Sequence, residues 1–166
     1  SIDAVYMAYK SIGYIKLNRF AASSTDEFKE ALKTLDKKGM KKLILDLQGN
    51  GGGYLNVAIE LADEFLARGK QIVYTQGSKQ KRQDAISTAQ GSFEDGELVI
   101  LVDESSASAS EILSGAVQDW DRGVIVGRRT FGKGLVQRPL PLPDGSMIRL
   151  TVARYYTPVS YTHLRA

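Results

Sequence analysis

Cysteine is absent from the 166-residue chain, and histidine occurs once, at His163. The first absence excludes a disulfide framework, a thiolate metal site and a cysteine nucleophile. The second leaves a Ser-His-Asp triad all but excluded, because its base would sit in the last few residues, in a tail with no clear structural part. No apolar run approaches the roughly 18 residues of a membrane span, and no signal peptide opens the chain. Charge of one sign is also scarce: 22 basic and 19 acidic residues leave a net +3, and the signs are mixed along the chain. The exception, SKQKRQ at 78–83, is too short and too poor in aromatics to argue for nucleic-acid binding and reads as a solvated loop. What is present is an ordinary globular composition, 43% hydrophobic and 25% charged, in a length that fits one domain with a core.

Hydrophobic period gives an alternation of strands and helices. AVYMAY (4–9) and GYIKLNRF (13–20) read as a hairpin. A helix follows from Ser24, with Ser24 and Glu27 in capping-box spacing and Phe28, Ala31, Leu32 and Leu35 on one face, ending near Gly39. KLILDL (42–47) has the continuous apolar character of a strand buried on both faces. The glycine loop QGNGGG leads into a second helix, YLNVAIELADEFLARG, with Leu55, Ala58, Ile59 and Ala62 at helical spacing. QIVYTQ (71–76) is another strand, whereas 77–95 is a long polar segment with few structural signals. ELVILVD (97–103) is a second buried strand, the serine cluster SSASASE opens a helix through Trp120, and GVIVG (123–127) is a third. After Pro139, Pro141 and Pro143, Asp144-Gly145 marks a hairpin turn into SMIRLTVARYY. The order predicts an α/β layered domain with a mostly parallel central sheet and antiparallel additions at its ends.

In such sheets ligands collect outside the carboxyl ends of the strands, where three loops lie: the glycine loop, the serine cluster and the loop carrying Lys133. The glycine loop fails the G-x-G-x-x-G pattern, because Tyr54 stands at its third glycine. GRRTFGK (127–133) fits G-x-x-x-x-G-K, but Gly134 replaces the magnesium-holding Ser or Thr, and LVQRPLPLP cannot be the required helix. The glycine loop is then either a plain tight turn or a row of N–H groups able to hold an oxyanion. Ser108 and Glu111 have the S-x-x-E spacing of a capping box ahead of Ile112, Leu113, Ala116, Val117 and Trp120. A serine hydroxyl there also sits where helix amides can stabilise charge developing in acyl transfer.

A serine needs a base, and without histidine lysine remains. Its ordinary pKa of about 10.4 must fall toward roughly 7–8 for efficient base work, at about 1.4 kcal/mol per unit, which desolvation can supply. Lys133 follows Phe131, lies between Gly132 and Gly134, and precedes Leu135 and Val136. Close packing there would bury its amine, while an ordinary turn lysine is the simpler alternative.

LILDLQGNGGG, LVDESSASASEILSGAVQDWDRGVIVG and TFGKGLVQ together resemble the tail-specific, or C-terminal processing, serine proteases, in the order and spacing of three separate motifs. The resemblance implies a ClpP/crotonase-like layered core with helices flanking the sheet. It implies Ser108 as nucleophile, Lys133 as general base and Gln137 as the residue orienting that lysine. The oxyanion hole is expected from the backbone N–H of Ala109 and of a glycine, Gly52 foremost with Gly53 as neighbour. Neither a metal nor an organic cofactor is implied. Substrates would be proteins or peptides, with nonpolar C-terminal tails bound as an extended strand, in the bacterial cell envelope or periplasm. A homo-oligomer is compatible with the resemblance. Residues 1–158 are expected to form the protease catalytic core, open to truncation at either end and without the PDZ domain that family members usually carry. Residues 159–166 are expected to be a non-native or unstructured tail. Two departures, Gln48 where the family commonly has arginine and Gly51 where it has proline, set an expectation of a looser oxyanion loop.

Two other classes fit parts of the pattern. A noncatalytic peptide-binding relative, or an inactive core fragment, would keep the sheet and groove without turnover. An acyl-thioester enzyme of the crotonase type would share the glycine-built oxyanion hole but need no serine and lysine pair.

Overall fold

The computed structural model describes residues 1–78, 81–88 and 91–159. In chain order the elements are β1 (Ile2–Tyr9), β2 (Ile12–Leu17), α1 (Ser24–Lys37), β3 (Lys42–Asp46), α2 (Leu55–Asp63) and β4 (Gln71–Gln76), then β5 (Gln83–Ile86), β6 (Glu97–Val102), α3 (Ala109–Asp119), β7 (Val124–Gly127), β8 (Leu135–Pro141) and β9 (Met147–Tyr156). His163 and the expected tail from residue 160 onward lie outside the described residues, as do Lys79 and Gln80 of the basic cluster.

The alternating chain builds two sheets. The first has the order β1-β2-β3-β6-β7, in which β2, β3, β6 and β7 are parallel and β1 closes the expected antiparallel hairpin. The second is antiparallel, with the order β5-β4-β9-β8. β4 therefore leaves the main sheet, which chain order alone does not show. The polar segment 77–95 is also more structured than expected, because β5 pairs with β4 and Arg82 lies over the Tyr74 ring at 3.9 Å. Pro139 and Pro141 sit in β8, the edge strand, where a missing N–H leaves no ladder bond broken.

One core lies between the main sheet and all three helices. Leu43 and Leu45 of β3 and Leu98, Ile100 and Val102 of β6 meet Phe28 and Leu35 of α1, Ala58 and Leu61 of α2 and Leu113 and Val117 of α3. Full burial of a side chain such as Phe28 contributes about 1.5–3 kcal/mol. The opposite face is only half-buried at Ile44, Val99 and Leu101, a correction to the expectation of strands covered on both faces. That face carries polar contacts instead: Tyr14 Oη donates to Asp46 Oδ2 at 2.6 Å, and Lys16 Nζ lies 3.1 Å from Asp46 Oδ1.

Two helix readings change. The box expected between Ser24 and Glu27 does not form, since Ser23 is the N-cap and its Oγ donates to Glu27 Oε1 at 2.6 Å. Ser24 is buried and instead accepts from the Ala21 N–H at 2.8 Å. α2 stops at Asp63, and its fully buried face is Val57, Ala58, Leu61 and Ala62, with Leu55 and Ile59 only partly covered.

Candidate active site

β6 delivers the serine cluster to the edge of the sheet, and α3 begins directly after Ser108. Ser108 has φ 57° and ψ −111°, a backbone region that costs a non-glycine residue of order 1–3 kcal/mol. Its surroundings enforce that shape. The Ser108 N–H donates to Glu111 Oε2 at 2.9 Å, so Glu111 does reach back to the cap residue as its spacing predicts. The neighbouring serines act as stitches to the glycine loop: Ser106 Oγ donates to the Leu47 carbonyl at 2.8 Å, and Ser110 Oγ to the Asn50 carbonyl at 2.9 Å. The Ala109 N–H, first of the helix, has no acceptor among the described residues.

Asn50 organises the glycine loop from a fully buried position. Its Nδ2 donates to the Leu17 carbonyl at 2.8 Å, its Oδ1 accepts from the Gly52 N–H at 2.9 Å, and its carbonyl accepts from the Ala107 N–H at 3.0 Å. The Gly52 N–H is thus engaged, although Gly52 itself abuts the Ser108 loop: an added Cβ would lie 2.6 Å from the Ala107 carbonyl oxygen. Gly53 differs. Phe20 uses the Gly52 carbonyl and the Tyr54 N–H on either side of it, at 3.0 and 2.9 Å, which leaves the Gly53 N–H without an acceptor among the described residues. A Cβ on Gly53 would come within 2.0 Å of the Phe20 carbonyl oxygen at a φ of 154°, so only glycine fits.

The loop is well tied despite Gln48 and Gly51. Asp103 accepts from the Gly49 N–H at 3.0 Å and from the N–H groups of Ser105 and Ser106, both at 3.0 Å. Burial pushes the Asp103 carboxyl up, but these donors outweigh it and hold the group below its ordinary value. A Cβ on Gly51 would meet nothing within 4 Å, so no close approach requires glycine there.

The lysine loop hangs on the same helix. Glu111, 2% exposed, accepts from Thr130 Oγ1 at 2.7 Å, from the Gly132 N–H at 2.7 Å and from the Lys133 N–H at 2.9 Å, besides Ser108. One carboxylate therefore fixes the backbone at both Ser108 and Lys133. Further ties run from the Phe131 N–H to the Ser106 carbonyl at 3.0 Å and from the Tyr155 N–H to the Gly134 carbonyl at 3.1 Å. Lys133 is half-buried, and its Nζ has no hydrogen-bond or ion-pair partner among the described residues. Gln137 follows on β8, beside a register shift between Val136 and Gln137.

Ser108, Ala109, Lys133, Gln137 and Gly53 all line one cavity of about 610 Å³, with Phe20, Leu55, Ile112 and Leu135 among its apolar walls. Gly52 lies behind that lining, against Ser108. Among the described residues no group of three or more His, Cys, Asp and Glu side chains could hold a metal ion. Three residues at the site escape sequence reasoning. Glu111 reads as a cap only, although a glutamate beside the apolar stripe of α3 is a signal of burial. Asn50 hides in a turn-like NGGG, and Tyr155 reads as one more strand aromatic.

The sequence matches the model of peptidase family S41 over residues 11–164. It is 43% identical over 152 residues to a carboxyl-terminal-processing protease of Picosynechococcus sp., covering 92% of this chain and 36% of that protein. It is 38% identical over 161 residues to a probable CtpA-like serine protease of Staphylococcus aureus, covering 95% of this chain and 32% of that protein. The chain thus spans about a third of the length of these curated relatives. Among solved structures it is similar to the photosystem II D1 C-terminal processing protease, with TM-score 0.82 and 39% identity over 90% of this chain and 39% of that one. Mature CPAF, at 13% identity and TM-score 0.72 over 99% of this chain and 48% of that one, shares the fold.

Proposed function

The chain belongs to peptidase family S41, and from that premise we propose that it forms the catalytic part of a serine endopeptidase acting near the C-termini of protein substrates. The convergence of Ser108 and Lys133 on one cavity, with the N–H groups of Gly53 and Ala109 beside them and unpaired among the described residues, supports this reading. Lys133 in its neutral form takes the proton from Ser108 Oγ as that oxygen bonds to the scissile carbonyl carbon. The N–H groups of Ala109 and Gly53 receive the carbonyl oxygen as it becomes negative, each such donor contributing about 10²–10³ in rate. Gly52 shapes the hole from behind, its own N–H being held by Asn50. The C–N bond then breaks, Lys133 returns its proton to the leaving amine, and an ester to Ser108 remains. Water, deprotonated by Lys133, splits that ester and restores both groups. Gln137 orients the lysine amine from β8.

The apolar wall of Phe20, Leu55, Ile112 and Leu135 suits a nonpolar tail, and the edge strand β8 offers backbone groups to an extended peptide. We place its action in the bacterial cell envelope, as the family resemblance implies; the relatives named are bacterial, and among the described residues no helix is long and apolar enough to cross a membrane. A fluorophosphonate probe tests the nucleophile. The wild-type protein should take one adduct, at Ser108, while Ser108→Ala takes none and Lys133→Ala reacts far more slowly and loses peptide cleavage. Absence of an adduct on folded wild-type protein, or cleavage surviving both substitutions, would refute the mechanism.

A further inference from the structure

Tyr155 presents an unexplained polar group at this site. Its side chain is 2% exposed, lines the cavity beside Ser108 and Lys133, and carries a hydroxyl with no hydrogen-bond partner among the described residues. The Glu111 charge, which raises the phenol, and the Ser108 side chain, which lowers it, nevertheless both act on that hydroxyl. An unpaired buried hydroxyl is destabilising, and phenylalanine would fill the same volume without that penalty. The backbone holds the ring in place: Tyr155 is opposite Thr75 in the β4–β9 ladder and ties its N–H to the lysine loop at Gly134.

Taking Ser108 as the nucleophile, we propose that the Tyr155 hydroxyl donates a hydrogen bond to Ser108 Oγ while that oxygen is losing its proton to Lys133. The serine oxygen has one proton, directed at the lysine, and lone pairs that need a donor as negative charge gathers. The N–H groups of Gly53 and Ala109 serve the carbonyl oxygen rather than the serine oxygen. Tyr155 meets that need as a donor. Burial, and then the Glu111 charge, push its phenol up, so it keeps its proton at neutral pH. The bond is weak to a neutral hydroxyl and stronger to a developing alkoxide, so it favours the transition state over the ground state. No proton leaves the phenol in the cycle.

The test is Tyr155→Phe in the full-length protein, compared with wild type and Ser108→Ala. Melting temperature, the rate constant of fluorophosphonate labelling, and kcat and KM on a peptide are measured across pH. Tyr155→Phe should keep or raise the melting temperature, leave KM unchanged, and lower both kcat and the labelling rate by about 5- to 30-fold, the gap between a neutral and a charge-assisted hydrogen bond. Labelling and turnover at the wild-type rate would overturn the proposal and make Tyr155 a packing residue. So would a rise in KM alone, or a clear loss of stability, since the hydroxyl would then have had a structural partner. If wild-type protein takes no label while folded, the reading of Ser108 itself fails, a result distinct from equal labelling of wild type and Tyr155→Phe.

Discussion

Replacing Glu111 by glutamine should disable the site without touching any group that reacts. The carboxylate accepts four hydrogen bonds, with Thr130 and Gly132 on Oε1 and Ser108 and Lys133 on Oε2. A glutamine of equal volume can keep one of these pairs on its oxygen, but its NH₂ then faces two donors. The Thr130 hydroxyl can turn to accept, whereas the Gly132 N–H cannot. The retained pair also loses its charge assistance, about 1 kcal/mol per bond. Together these losses come to roughly 2–4 kcal/mol, or a fall in melting temperature on the order of 5–15 °C for a domain of this size. The effect on reactivity should be larger, because an error of about 1 Å in placing catalytic groups costs roughly 100-fold. Thermal unfolding paired with fluorophosphonate labelling below the melting point measures both. Thr130→Val removes one donor of the four and should give an intermediate result. A Glu111→Gln protein that melts within about 2 °C of wild type and labels within about twofold would show that the two loops hold their places without this carboxylate.

Other consequences are as specific. Gly53→Ala places a methyl against the Phe20 carbonyl and should reduce labelling by about 100-fold or more while circular dichroism still reports a folded chain. Asn50→Ala breaks two buried bonds, to the Leu17 carbonyl and from the Gly52 N–H, and should lower stability by about 2–4 kcal/mol in urea titration. Asp103→Asn tests a pH dependence. Because the folded carboxyl is held below its unfolded value near 3.9, its stabilisation is present above that value and lost as pH falls through the lower folded one. The stability gap between wild type and Asp103→Asn should be full above about pH 5 and shrink on acidification below about pH 4; a gap independent of pH would remove Asp103 as the clamp.

Much of the fold was legible because hydrophobic period reports local burial. The hairpin, the two central strands and the three helices follow from it directly. The partner of a strand is a different matter. QIVYTQ has the same apolar character whether it joins the parallel sheet or pairs with β9, and nothing local records that choice. The same limit applies at the site. Ser108 and Lys133 stood out through the lack of histidine and through motif spacing, and the two do line one cavity. The role of Glu111 did not, because its donors at 130, 132 and 133 are brought to it only by tertiary structure. The expectation of Gly52 ahead of Gly53 as oxyanion donor meets the same limit. Adjacent glycines look alike in a sequence, and it is tertiary structure that sets Asn50 Oδ1 on the N–H of Gly52 and Phe20 against Gly53.

The tie between the Tyr155 N–H and the Gly134 carbonyl has a consequence for the order in which the site matures. The bonds of Ser106, Ser110 and Glu111 that bend the backbone at Ser108 are made among residues no later than Glu111, and only the Phe131 N–H on the Ser106 carbonyl comes later. The lysine loop finds its Glu111 bonds as it emerges, but its tie at Gly134 waits for β9. At about 5–20 residues per second of synthesis, the Ser108 turn exists for several seconds before that last tie is made. Full anchoring of the loop that carries Lys133 therefore comes only once β9 is in place, well after the Ser108 turn has formed.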